Sequence, residues 1–124
     1  MTGAVTMHIG EMAEKTGLSL RTIRHYDDVG LLKPTGRTTG GFRLYTHDDF
    51  VRLMLIRRMK PLGFPLDEMT ELLRIIDTLN GVASDDPAVR AGLDRFIIQA
   101  VERRVNLQEQ LVMADEFLAL LRAQ

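Results

Sequence analysis

The chain has 124 residues, 45% of them hydrophobic and 27% charged, which suits one domain or a small domain with an appended interaction element; single cores usually run to about 100–150 residues, so two full domains do not fit. It contains no cysteine, and this excludes disulfides, thiolate metal sites, iron–sulfur clusters and thiol redox sensing together. The net charge of −1 hides an asymmetry: residues 1–63 hold 10 Lys and Arg against 6 Asp and Glu, whereas residues 64–124 hold 6 against 11, so only the front half suits a polyanion.

No apolar run approaches the ~20 residues that span a bilayer. The first residues, MTGAVTM, lack a charged start followed by an apolar stretch, so a cytoplasmic protein with no membrane partner is expected. Ile9, Met12 and Ala13 then fall at helical spacing up to Thr16, with Gly17 placed for a left-handed helix end. Ser19 is a natural N-cap for a second helix from about Leu20 to Val29, with Leu20, Ile23 and either Tyr26 or Asp27 marking its inward side, and Gly30 ending it. Helix, glycine turn and capped helix make a helix-turn-helix, whose second helix enters the major groove of DNA.

After Leu31 and Leu32, Lys33-Pro34 forces extended backbone. The polar run Thr35 to Gly41 ends in Gly40-Gly41 before Phe42-Arg43-Leu44-Tyr45, which predicts a β-hairpin, or wing, anchored by Phe42 and Leu44. Thr46 to Asp49 reads as a capping box opening a third helix through about Leu62, and Gly63 stops it. Pro65 to Glu68 starts a fourth helix, with Met69, Leu72, Leu73, Ile76 and Leu79 on one face. A polar loop follows, and Asp86-Pro87 opens a fifth helix near Ala88. Along that helix Leu93, Ile97, Ala100, Arg104, Leu107, Leu111, Ala114, Leu118 and Leu121 alternate in steps of four and three, the spacing of a coiled-coil seam. Such a helix of roughly 50 Å is longer than a small domain can cover, so a second copy of the chain is the expected partner. Arg104 would interrupt the seam and fix its register against Glu102 or Glu109 of the partner subunit.

The ordered set IGEMAEKTGLSLRTIRHYDDVGLLKP, GFRLY and IRRMKPLGFPLDEM resembles the MerR family of bacterial transcriptional regulators over about Met7 to Leu79. The resemblance implies a promoter-binding regulator that deforms DNA with an overlong spacer between polymerase elements, with RNA polymerase as a further partner. It also implies a dimer coil in the terminal helix, usually antiparallel. Cysteine-based sensing does not carry over, and a chain ending at Gln124 with the coil is expected to lack the large effector domain of the drug-sensing branches. Whether a small-molecule effector binds is left open. His25 stands where many relatives carry tyrosine, which implies a different contact there.

The expected fold is mainly α: a winged helix-turn-helix DNA-binding domain with linker helices over residues 7–79, a loop at 80–87 and a dimerisation coiled-coil helix at 88–122. Expected DNA contacts are Ser19, Arg21, Thr22, Arg24, His25 and Tyr26 on the second helix, and Lys33, Arg37, Thr38, Arg43 and Tyr45 in and before the wing. Arginine suits guanine through its two-pronged geometry, and a glycine tip lets backbone approach the sugar-phosphate chain. Arg57 and Lys60 would add phosphate contacts, although cations also favour a helix C-terminus. His47 beside Asp48 and Asp49 is explained by capping, so no metal or other cofactor is expected, and the methionines are taken as packing residues. No nucleophile–base pair or phosphate loop appears, so no catalytic role is expected. Two alternatives stand beside a regulator acting as a homodimer on a palindromic operator: an architectural or accessory DNA-binding protein, and an interaction module whose coil is the working part.

Overall fold

The computed structural model describes residues 5–81 and 86–124. Met1 to Ala4 of the N-terminal stretch, and residues 82–85 of the expected loop, lie outside the described residues. In chain order the elements are β1 (Thr6–His8), α1 (Ile9–Thr16), α2 (Leu20–Asp28), β2 (Gly36–Arg37), β3 (Arg43–Thr46), α3 (His47–Met59), a 3₁₀ turn (Lys60–Leu62), α4 (Leu66–Leu79) and α5 (Pro87–Arg122). The chain divides into two compact units, residues 1–73 and 74–124.

The first unit holds the hydrophobic core. α1 ends on Gly17, whose φ of 72° lies where a side chain is strained, and the Gly17 amide donates to the Ala13 carbonyl. Thr16 stays buried because its hydroxyl donates to the Met12 carbonyl at 2.7 Å. α3 carries the expected capping box: the Thr46 hydroxyl accepts from the Asp49 amide, and the Asp49 carboxylate accepts from the Thr46 amide. The same carboxylate also accepts from the Thr35 hydroxyl at 2.6 Å, tying the approach to the wing onto the start of α3. Met12, Ile23, Leu53 and Ile56 are fully buried between these helices.

The sheet has three strands in the order β1-β3-β2, both pairings antiparallel. Strand β1 was not foreseen, because three residues are too few for an alternation to show. It pairs Met7 with Tyr45, and both side chains are buried. The hairpin between β2 and β3 closes through the Thr38 amide on the Phe42 carbonyl at 2.8 Å, leaving a three-residue loop in which Gly41 has φ 84°.

Two expected packing residues are corrected. Leu20, taken as inward, is 39% exposed: Ile23, Tyr26 and Asp27 fill the inner face of α2, and Leu20 lies outside that group. Phe42, taken as an anchor, is 70% exposed, because it follows the turn and its ring lies over Gly40, not over the core.

The second unit contains the end of α4 and the long α5. Asp86 caps α5 by accepting from the Ala88 amide at 2.9 Å, with Pro87 in the first turn. A Cβ built on Gly92 would come within 3.1 Å of the Ile75 side chain, so glycine permits the close approach of these two helices.

Candidate nucleic-acid interface

Helix α2 presents two faces of opposite character. Ser19 sits in extended backbone at its N-cap, accepts from the Thr22 amide at 3.1 Å and donates to the Thr22 hydroxyl at 2.9 Å. The Ser19 hydroxyl is thus spent on starting the helix, while the Thr22 hydroxyl only accepts there and keeps its own proton to donate. Ile23, Tyr26 and Asp27 are buried, while Arg21, Arg24 and His25 are exposed at the i, i+3, i+4 spacing of one helical face. Tyr26 and Asp27, the two candidates for the inward side, both turn inward.

Asp27 is the electrostatic centre of the wing. Its side chain is 6% exposed, and its Oδ2 accepts from Arg43 Nε at 2.7 Å and from Arg37 Nη2 at 3.1 Å. Lys33 Nζ stands 3.7 Å from Oδ1 and donates to the Asp27 carbonyl at 3.4 Å. Burial alone would raise the Asp27 pKa, but the Arg43 hydrogen bond and the charges of Arg43, Arg37 and Lys33 outweigh it, and the carboxyl is held below its ordinary value. The Arg43 guanidinium is raised mainly by the same hydrogen bond. Arg37 also donates to the Gly41 carbonyl at 3.3 Å, so a continuous run of polar contacts leads from α2 to the wing loop.

Tyr26 and Tyr45 require correction as expected DNA contacts. Their side chains are 3% and 0% exposed, Tyr26 because it shares the inner face of α2 and Tyr45 because strand alternation turns it to the core. Both hydroxyls are buried, and neither has a hydrogen-bond partner within the structure. Burial raises the Tyr45 pKa, with the nearby Arg43 acting in the opposite direction. Thr38 is half-buried, its hydroxyl accepting from the Phe42 amide at 3.1 Å. Arg57 and Lys60 are exposed at the end of α3 and in the following turn; the Arg57 guanidinium lies over Gly17, in the turn between α1 and α2.

The structure therefore joins Lys33, Arg37 and Arg43 to α2 through Asp27, leaves Arg21, Arg24 and His25 as an open face, and removes the two tyrosines from the surface. The hub role of Asp27 was missed. Its sequence signal was a carboxylate on the inner face of α2 followed by three cations in the next hairpin segment. Among the described residues, no group of three or more His, Cys, Asp or Glu converges as a metal site.

In the second unit, Gly92 is the only buried residue of α5. Every leucine and isoleucine of the seam from Ile97 onward is exposed in the single chain, Leu111 by 62%. Ile98, Val101, Val105 and Val112 are also exposed and run beside the seam, making the apolar arc wider than a two-stranded seam alone.

A capped helix with a cationic outer face, set in a helix-turn-helix and tied to a basic hairpin, defines a winged helix-turn-helix DNA-binding head. Residues 7–75 match the MerR HTH family regulatory protein model, and residues 50–114 match the MerR, DNA binding model. The chain belongs to the MerR family of transcriptional regulators. It is 37% identical over 105 residues to an uncharacterised HTH-type transcriptional regulator of Pseudomonas aeruginosa, covering 85% of this chain and 80% of the relative. It is 44% identical over 69 residues to the mercuric resistance operon regulatory protein of Bacillus cereus, covering 56% of this chain and about half, 52%, of that protein. Among solved structures, HiNmlR, a MerR family regulator lacking the sensor domain and bound to promoter DNA, superposes with a TM-score of 0.69 at 30% identity, covering 93% of this chain and 89% of that one.

Proposed function

We propose that this chain is a transcriptional regulator that binds a palindromic promoter operator as a homodimer and distorts it. The observation that carries the reading is the open cationic face of α2, where Arg21, Arg24 and His25 are exposed on a helix whose opposite face is buried. In this reading α2 lies in the major groove, with Arg21 and Arg24 reading base edges and His25 at a base edge or phosphate. Lys33, Arg37 and Thr38 hold the sugar-phosphate chain beside it, Arg43 ties the wing to α2 through Asp27, and Arg57 and Lys60 add phosphate contacts. Ser19 and Thr22 serve by capping α2 and placing its first turn. The contacts made by two heads offset the deformation energy of the DNA.

The uncovered apolar row on α5 supports the dimer, with Leu93, Ile97, Ala100, Arg104, Leu107, Leu111, Ala114, Leu118 and Leu121 as the interface. We assign residues 7–79 to the head and linker, 80–87 to a loop and 88–122 to the dimer helix. No catalytic role is assigned, since the relatives are transcriptional regulators. No helix among the described residues is long and apolar enough to cross a membrane; a place on the nucleoid in the cytoplasm, with RNA polymerase as a partner at the promoter, belongs to the same reading.

Footprinting on the promoter facing the chain's own gene tests it. A protected palindrome between the polymerase elements is expected. Cooperative coating of arrayed sites would point instead to an architectural factor, and no protection of any duplex at low salt, with dimerisation intact, would point to an interaction module.

A further inference from the structure

Strand pairing sets Arg37 of β2 directly opposite Arg43 of β3. Like charges in that position repel and would splay a two-residue pairing. The structure resolves the conflict from outside the sheet, because both guanidiniums donate to one oxygen of Asp27, on α2. Lys33, just before the wing, converges on the same residue. Arg37 then spends its other amino group on the Gly41 carbonyl in the wing loop.

The three cations differ in what they have left to offer. Arg43 is 23% exposed and makes the shortest bond, so it is committed to Asp27, whereas Lys33 at 69% and Arg37 at 48% keep surface from which a phosphate can be met. Phosphates attract cations whatever the sequence beneath them. A base contact from α2 adds sequence choice only if the wing's phosphate contacts fall in the same register, and that requires the wing to be fixed relative to α2.

We propose that Asp27 is the positioning residue that fixes the wing against the recognition helix, and that it sets the head's ability to discriminate sequences more than its affinity for DNA at large. The proposal rests on the DNA-binding reading above. Neutralising Asp27 releases Arg37 and Lys33 to phosphates anywhere and leaves two opposed guanidiniums without their common acceptor. Specific binding falls while non-specific binding holds or tightens. A residue needed only for folding would lower both together.

The test uses the full chain, a duplex enriched by the wild-type protein from a random-sequence library, and a mixed-sequence duplex of equal length. Asp27→Asn keeps the shape and one acceptor but removes the charge. Arg37→Lys keeps the phosphate-seeking charge but cannot bridge Asp27 and Gly41 together. For Asp27→Asn the ratio of enriched-duplex to mixed-duplex affinity should fall about tenfold, the scale of a lost charged hydrogen bond, with mixed-duplex affinity unchanged or higher. Arg37→Lys should lower the ratio in the same direction by a smaller factor. If Asp27→Asn loses its helical circular dichroism, Arg37→Lys decides alone. An unchanged ratio in folded variants, or a parallel loss of both affinities, overturns the proposal. A wild-type chain that enriches no duplex overturns the DNA-binding reading itself, and this inference with it.

Discussion

The two units of the chain solve the problem of apolar surface in opposite ways. The head buries Met12, Ile23, Leu53, Ile56, Met69 and Leu73 within itself, and its exposed apolar side chains, such as Phe42 and Val51, are scattered along the chain. The long helix buries only Gly92 and leaves Ile97, Leu107, Leu111, Leu118 and Leu121 open to solvent. A helix of 36 residues with that row of side chains has local reasons to be helical but no internal reason to be stable in water. The head encloses an apolar core of its own, and the tail leaves its apolar row uncovered in the single chain.

This contrast can be broken at several points. The largest effect is expected at the tail: Leu107→Asp places a charge in the middle of the seam, where an uncompensated buried charge costs on the order of 3–5 kcal/mol. Sedimentation should show monomers, with operator binding weakened and the head still folded; an unaltered dimer would reject the seam. In the head, Leu53→Ala opens a fully buried site, and denaturant titration should show about 2–5 kcal/mol lost with dimerisation retained. On the outer face of α2, Arg21→Ala or Arg24→Ala should cost about 1–3 kcal/mol of operator binding with no change in melting temperature. Unchanged affinity would remove these residues from the interface.

Smaller effects are expected where α2 is held in place. Ser19→Ala removes an N-cap and should lower head stability by about 1 kcal/mol, read from the denaturation midpoint. The smallest effect concerns acid. The Asp27 carboxyl is held below its unfolded value, so its contribution is fully present above about pH 4 and is lost as pH falls through the lowered folded value. The Arg43 Nε–H proton resonance should therefore persist from neutral pH down past about pH 4. Its loss well above that point would contradict the Asp27 cluster.

Much of this was legible because the signals were local. Ser19, the Thr46–Asp49 box, Gly17 and Asp86-Pro87 each mark an element boundary by backbone chemistry that acts within four residues, and the structure places caps at all of them. The MerR resemblance rested on the same ordered boundaries. What escaped was non-local. β1 exists because β3 pairs with it, and nothing in three residues announces that. Tyr45 reads as a surface aromatic beside arginines until strand pairing turns it toward Met7. Phe42 reads as core by composition, yet its place just after the hairpin turn leaves it outside. The convergence of Lys33, Arg37 and Arg43 on Asp27 spans 6 to 16 residues of chain and depends on the fold of the wing.

In the proposed dimer two heads read one site because the tail joins them. Sedimentation equilibrium of the full chain with a saturating amount of its enriched duplex measures this directly. Two chains per duplex are expected for the wild type, with loss of that complex in Leu107→Asp. One chain per duplex at full operator affinity would contradict it.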